Sequence, residues 1–224
     1  MKLIAWVGAL AGLLTLTTAY SFAAPAFAIN GPVPNLHDVE AAIVSYYESG
    51  RHDADVAKVT TQLQRAVDTE RRQTVKPAVV FDIDDTALST FPYELAHDFS
   101  YDASSWETWE REDRFPAIQP TLRLAVHLHA EGVAVFFVTG RRTPERAATL
   151  HELALAGYPA PAGLFLRPIK DHNRSVIPFK SSMRALIEAR GYHVLASIGD
   201  QWSDLLGGHA ERLYKLPNPM YYLP

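Results

Sequence analysis

Apolar and polar positions follow two different rhythms along the 224 residues. Before residue 76 the rhythm is helical. In "LHDVEAAIVSYYESG" the residues Val39, Ile43 and Tyr46 or Tyr47 recur at three- and four-residue steps ahead of Gly50. Val56, Val59, Leu63 and Val67 do the same in "DADVAKVTTQLQRAVDTERR", so two amphipathic helices are expected. From residue 76 onward, short apolar runs at 77–82, 133–138, 163–167, 194–198 and 212–216 read as strands. Helical segments at 119–131, 143–157, 180–190 and 202–207 lie between or after them, bounded by Pro, Gly or a capping residue. That alternation predicts an α/β fold with a mostly parallel central sheet flanked by helices. The expected organisation is a helical extension at 29–75 packed on a main domain at 76–224.

One stretch breaks the alternation. Residues 91–120 hold Phe91, Tyr93, Phe99, Tyr101, Trp106, Trp109 and Phe115 among many acids, and so long a connection normally has structure or a task of its own. A small helical insertion with inward-packed aromatics is the expectation for most of these rings; a wall that touches a ligand is the functional alternative.

The first residues carry one charge at Lys2, an apolar stretch from Leu3, and small residues ending Ala26-Phe27-Ala28, which is the layout of a signal peptide at 1–28 cleaved after Ala28. An uncleaved anchor is the alternative, since no charge interrupts the stretch to Ala28. Cleavage is favoured because Pro25 and the small residues suit a peptidase. The product is then exported, secreted or periplasmic, with no membrane span. Cysteine is absent, which excludes disulfides, thiolate metal sites and cysteine nucleophiles. A formal charge of −4 and the lack of any Lys/Arg stripe argue against nucleic acid as a partner.

Ligands of parallel α/β sheets bind beyond the carboxyl ends of the strands, so the residues following each apolar run should converge. The first run ends in "DIDDT", the second in "TGRR" and the fourth in "GDQWSD", while "PFKSSMR" precedes the fourth. These segments bring together Asp82, Asp84, Asp200 and Asp204 with Thr139 and Lys180. Gathered carboxylates repel one another, and a hard cation with oxygen ligands is the usual compensation; Mg²⁺ fits best. Thr139, Lys180 and a helix N-terminus near Gly140 would serve phosphate oxygens. The chemistry this assembles is phosphoryl transfer to an aspartate. Taken singly, each segment reads equally well as a capped turn or a solvated lysine; four in this order do not. His127 and His129 face different sides of a helical segment and form no zinc pair, and Ser181, Ser182 and Ser203 lack a His/Asp framework.

Asp82-Ile83-Asp84-Asp85-Thr86 after a strand resembles the first motif of the haloacid-dehalogenase-like (HAD) hydrolase superfamily, with Thr139 in "FFVTG", Lys180, and Asp200 and Asp204 in "GDQWSD" matching the other three in order. More closely, "VVFDIDDTALST", "SWETW…PAI", "TGRR", "AGY…LFLRP", "KSSMR" and "GDQWSDLLG" resemble plant vegetative storage proteins and bacterial class B-like acid phosphatases. The chain departs at Ala87, where leucine is commoner, and in "RPIKDHNRSVIPFK".

The resemblance implies a Rossmann-like HAD core and an acid phosphatase acting on small phosphate esters. It implies that Asp82 attacks phosphorus, and that Asp84, starting protonated, gives a proton to the leaving alcohol and later takes one from water. Mg²⁺ is expected on the Asp82 carboxylate, the Asp84 carbonyl and Asp200, with Asp204 direct or through water. Thr139 and Lys180 are expected on the phosphoryl group, with Arg141 or Arg142 reaching the rest of the substrate. Nucleoside monophosphates stacked on Trp106, Trp109, Tyr93 or Tyr101 are one candidate substrate class. A storage or binding role, phosphotransfer to an alcohol, and homodimer formation stay open, and a dehalogenase ranks last.

Overall fold

A computed structural model describes residues 33–173 and 175–223; the leader expected at 1–28 lies outside them. Helices α1 (Leu36–Glu48) and α2 (Arg51–Glu70) come first, joined at Gly50, whose φ of 75° is the left-handed conformation a glycine adopts without strain. Five strands follow: β1 (Pro77–Phe81), β2 (Ala134–Arg142), β3 (Gly163–Arg167), β4 (His193–Gly199) and β5 (Arg212–Lys215). Helices α3 (Phe91–Ala96), α4 (Ala103–Arg111) and α5 (Gln119–Ala130) lie between β1 and β2. Helix α6 (Arg146–Leu155) follows β2, and α7 (Ile177–Ala189) follows β3.

The sheet is parallel throughout in the order β3-β2-β1-β4-β5. Phe81, the last residue of β1, pairs with Phe137 on one side and Ile198 on the other. The residues just beyond those positions therefore emerge side by side, which brings three of the expected segments to one edge. Alternate side chains of β1 enter opposite cores because successive strand residues point to opposite faces. Val79 and Phe81 join Val56, Leu63 and Val67 of α2 and Leu124, Ala125 and Leu128 of α5. Ala78 and Val80 join Phe179 and Ile187 of α7. Helix α2 is thus built into the main core by its apolar stripe.

Residues 91–120 form the helical insertion that their composition suggests. The chain leaves and returns through a closed neck, with the Ser89 amide donating to the Pro116 carbonyl at 2.8 Å and the Ile118 amide to the Ala87 carbonyl at 2.9 Å. Inside it Tyr93 is fully buried against Trp106 and Trp109, and Phe115 packs on both tryptophans. Tyr101 is exposed.

Three boundaries differ from expectation. Strand β2 continues through Arg142, and the helical turn begins only at Thr143, where the Glu145 carboxylate accepts from the Arg142 amide at 2.6 Å. No helix N-terminus therefore sits at Gly140. Helix α7 starts at Ile177 rather than 180, because Pro178 is compatible with a first helical turn. The segment expected as a helix at 202–207 is a single 3-10 turn at Trp202–Asp204, stopped by Gly207 and Gly208, which take φ of 94° and 80°.

Candidate active site

Beyond Phe81 the chain leaves the strand in a tight loop. The amides of Thr86, Ala87 and Leu88 all donate to the Ile83 carbonyl at 3.2, 2.7 and 2.9 Å, and Asp85 is held at a φ of 54°. Backbone closure on one carbonyl fixes where the side chains of Asp82, Asp84, Asp85 and Thr86 point. Asp82 is buried, and its Oδ1 accepts from Lys180 Nζ at 2.6 Å. Asp85 is also buried, and its carboxyl accepts from the Thr90 amide at 2.9 Å and the Tyr221 hydroxyl at 2.6 Å. The Thr86 hydroxyl accepts from the Asp200 amide and donates to Asp200 Oδ1, each at 3.1 Å, so the first loop is pinned directly to the end of β4.

Lys180 lies in the first turn of α7, with 4% of its surface exposed. It bridges Asp82 and Asp204. Burial alone would lower the lysine's pKa, but Asp204 and Asp82 together raise it above its ordinary value, so the ammonium stays charged. Burial and then the neighbouring Asp204 push the Asp82 carboxyl well up, against the pull of Lys180. The same two causes raise Asp200 to about 6.

Asp82, Asp200 and Asp204 can each offer a carboxylate oxygen within 4.8 Å of the others, and all three are buried. With all three acids ionised, one ammonium would leave two negative charges in excess, which a buried site tolerates poorly. An all-oxygen donor set with that excess fits a hard divalent cation. The Asp84 carboxylate is not in this group.

Asp84 instead turns to Arg141. Arg141 Nη2 donates to Asp84 Oδ1 at 2.6 Å, and Nε approaches both Asp84 oxygens at 3.1 and 3.2 Å. The side chain of Arg141, expected on the substrate, turns inward to three carboxylates. It is 2% exposed. Arg142 Nη1 donates to the carbonyls of Pro168 and Asp171 at 3.1 and 3.0 Å, tying down the loop after β3. Thr139 is buried at the edge where the acids emerge, and its Oγ1 accepts from the Arg141 amide at 3.1 Å, which leaves the hydroxyl proton for another acceptor. Gly140 is exposed beside it, with open space where a Cβ would stand.

Several supporting residues were not legible in the sequence. Gly199 is required because a Cβ there would fall 2.2 Å from Asp204 Oδ2 and 2.3 Å from Asp204 Cβ. Asn218 Nδ2 and Gln201 Nε2 donate to Asp200 Oδ2 at 2.8 and 2.7 Å. Arg184 is 1% exposed and donates to the carbonyls of Asp204 at 2.6 Å and Gly208 at 2.8 Å, clamping the loop that carries Asp204. "KSSMR" held a signal for this last contact, since Arg184 follows Lys180 by four residues on the same helical face.

A family model described as HAD superfamily, subfamily IIIB (acid phosphatase) matches residues 31–224. The chain is 36% identical over 148 residues to acid phosphatase 1 of Solanum lycopersicum, covering 64% of this chain and 58% of that protein. It is 31% identical over 149 residues to vegetative storage protein 1 of Arabidopsis thaliana, covering 65% and 55%. The matched region thus spans somewhat over half the length of these relatives. The class C acid phosphatase from Bacillus anthracis superposes with a TM-score of 0.69 at 20% identity, covering 83% of this chain and 85% of that one. A structure of that phosphatase with tungstate bound gives 0.68 at 19% identity, covering 84% and 86%. At such identities the likeness shows a shared α/β HAD-like fold.

Proposed function

Because the chain belongs to the acid phosphatases of HAD superfamily subfamily IIIB, we propose that it hydrolyses phosphate monoesters through an aspartyl phosphate on Asp82. The observation that carries the reading is the position of Asp82. It stands at the end of the central strand, hydrogen-bonded to a buried ammonium and within 4.8 Å of two further carboxylates.

Asp82, Asp200 and Asp204 would hold a divalent cation, Mg²⁺ in this proposal, which would supply positive charge for the phosphoryl oxygens. Lys180 draws a dianionic phosphate to the carboxylate that attacks it. Asp82 makes its bond to phosphorus as the bond to the leaving alcohol breaks, and Asp84 delivers a proton to that alcohol oxygen. Water then attacks the same phosphorus, giving its proton to Asp84, and breakage of the Asp82–phosphorus bond releases phosphate. Lys180 and the Thr139 hydroxyl donate to the phosphoryl oxygens, where fixed donors stabilise charge without reorganisation. Substrates are small phosphate esters, with nucleoside monophosphates as one class. Of the rings considered for stacking, Tyr93 is buried within the insertion and Tyr101 is exposed. The N-terminal leader is proposed to direct export.

A storage role is a second reading, supported by relatives that bear that name. The test is phosphate release from p-nitrophenyl phosphate and a panel of nucleoside monophosphates, with Mg²⁺ or with chelator, for the native chain and Asp82→Asn. Release that needs the metal and is lost in the variant is the expected outcome. Silence from a folded native chain would favour storage, and full activity of the variant would refute the aspartyl phosphate.

A further inference from the structure

Arg141, which the reaction scheme above does not use, is the centre of a buried ionic cluster that includes Asp84. Its guanidinium meets three carboxylates from three separate elements. Asp84 comes from the loop after β1 at 2.6 Å, Glu152 from α6 at 2.7 Å and Glu110 from α4 at 3.2 Å. The side chains of Arg141, Glu110 and Glu152 are 2%, 3% and 1% exposed, whereas Asp84 retains 19%. Of these four side chains only Asp84 thus reaches the surface. Glu110 is itself fixed, since Trp106 Nε1 donates to its Oε1 at 2.9 Å one helical turn away. Phe115 closes another side, its ring centroid 5.8 Å from the guanidinium carbon.

An arrangement of this kind is costly unless it does something. Removing ions from water and crowding three carboxylates on one cation gains little stability over apolar packing. What it does supply is direction, because a planar guanidinium with five donors fixes the angle at which each carboxylate sits. We propose that Arg141 is a positioning residue for Asp84, with Glu152 and the insertion residue Glu110 fixing Arg141 in turn, so that helix α4 forms part of the apparatus that aims the general acid. This rests on the proposed phosphatase reading. It gives the insertion a function distinct from covering the site, and it explains why Trp106 and Glu110 lie four residues apart.

The test separates proton delivery from general damage by the choice of leaving group. p-Nitrophenolate departs readily without a proton, whereas the alkoxide of ethyl phosphate needs one. The parameter is kcat/KM, which reports steps through the first irreversible one and so leaves out the later attack of water. For Arg141→Met the expected result is a loss of about a hundredfold or more on ethyl phosphate, within the range general acids contribute. The loss on p-nitrophenyl phosphate should be less than about tenfold. Arg141→Lys should recover part of the difference, since it restores charge but not the fork. Glu110→Gln, a milder change, should show the same selectivity at smaller size, and it decides the matter if Arg141→Met does not fold.

Equal losses on both substrates would overturn the proposal, since they would indicate a structural role or direct contact with the phosphate. So would unchanged kinetics. A native chain inactive on both esters would instead defeat the phosphatase reading itself, which distinguishes the two failures.

Discussion

Gly199→Ala puts the geometry at the end of β4 to a direct test. The added Cβ would lie 2.3 Å from Asp204 Cβ and 2.2 Å from its Oδ2. Carbon atoms reach their best separation at about 3.5–4.0 Å, so one of the two residues must move by more than about 1 Å. The backbone at Gly199 is not in the left-handed region, so the penalty comes from the collision alone. Asp204 cannot swing away cheaply, because its carboxylate accepts from Lys180 and from the Gln201 amide at 2.7 Å, while Arg184 grips its carbonyl at 2.6 Å. Overpacking of this kind costs about 1–3 kcal/mol, which for a chain of this size lowers Tm by roughly 2–12 °C. Displacing Asp204 should also weaken Mg²⁺ binding by about tenfold to a hundredfold, the loss that follows when support for a metal site is disturbed. Differential scanning calorimetry in chelator and titration calorimetry with Mg²⁺ read the two effects separately. Gly140→Ala is the control: open space surrounds its Cβ position, so its Tm should match the native chain. A Gly199→Ala protein with native Tm and native Mg²⁺ affinity would refute the reasoning, as would an equal loss in both variants.

Other expectations follow from the same contacts. Lys180→Met removes the cation between Asp82 and Asp204 and leaves their charge buried, so metal-free stability should fall by about 3–5 kcal/mol; denaturant unfolding in chelator measures this, and the loss should shrink on adding Mg²⁺. Asn218→Ala takes one donor from Asp200 Oδ2 and should weaken Mg²⁺ binding by about tenfold, read as a smaller Mg²⁺-induced rise in Tm. Glu152 is pushed up to about 7, by burial first and against the pull of Arg141. The folded chain therefore holds a proton that the unfolded chain releases above the ordinary carboxylate pKa of about 4.5, and stability should decline as pH rises from about 4.5 to about 7. Glu152→Gln should flatten that part of the stability profile, and an unaltered slope would show that Glu152 contributes nothing to it.

The parts of this architecture that could be read from sequence share a physical cause. Apolar runs such as those at 77–82 and 194–198 must be buried on both faces, so their length and limits show the strands, and the edge beyond their ends locates the convergence of Asp82, Thr139 and Asp200. Boundaries near Thr139 were harder, because "TGRR" contains a glycine and two long cations that suit either a turn or a strand end. Only pairing with β3 at Arg142 settles it as strand. The need for glycine at 199 comes from Asp204, which a local pattern does not encode, whereas Arg184 is marked only by its spacing from Lys180, and its carbonyl partners emerge with the fold.

Arg141 shows how the two acids of the first motif relate. Spacing of two residues along a strand would put Asp82 and Asp84 on one face, facing one ligand. The chain leaves the strand after Phe81, however, and three amides closing on the Ile83 carbonyl turn Asp84 aside. Asp82 ends against Lys180 and Asp84 against Arg141, each within 2.6 Å of its own cation. Two carboxylates two residues apart are thereby given separate electrostatic surroundings, which is what the proposed division of labour, one acid attacking and the other moving a proton, requires. The lysine that serves the first acid stands in a recognisable motif. The arginine that serves the second depends on carboxylates from two more elements, α4 and α6, and becomes intelligible only when the fold brings them together.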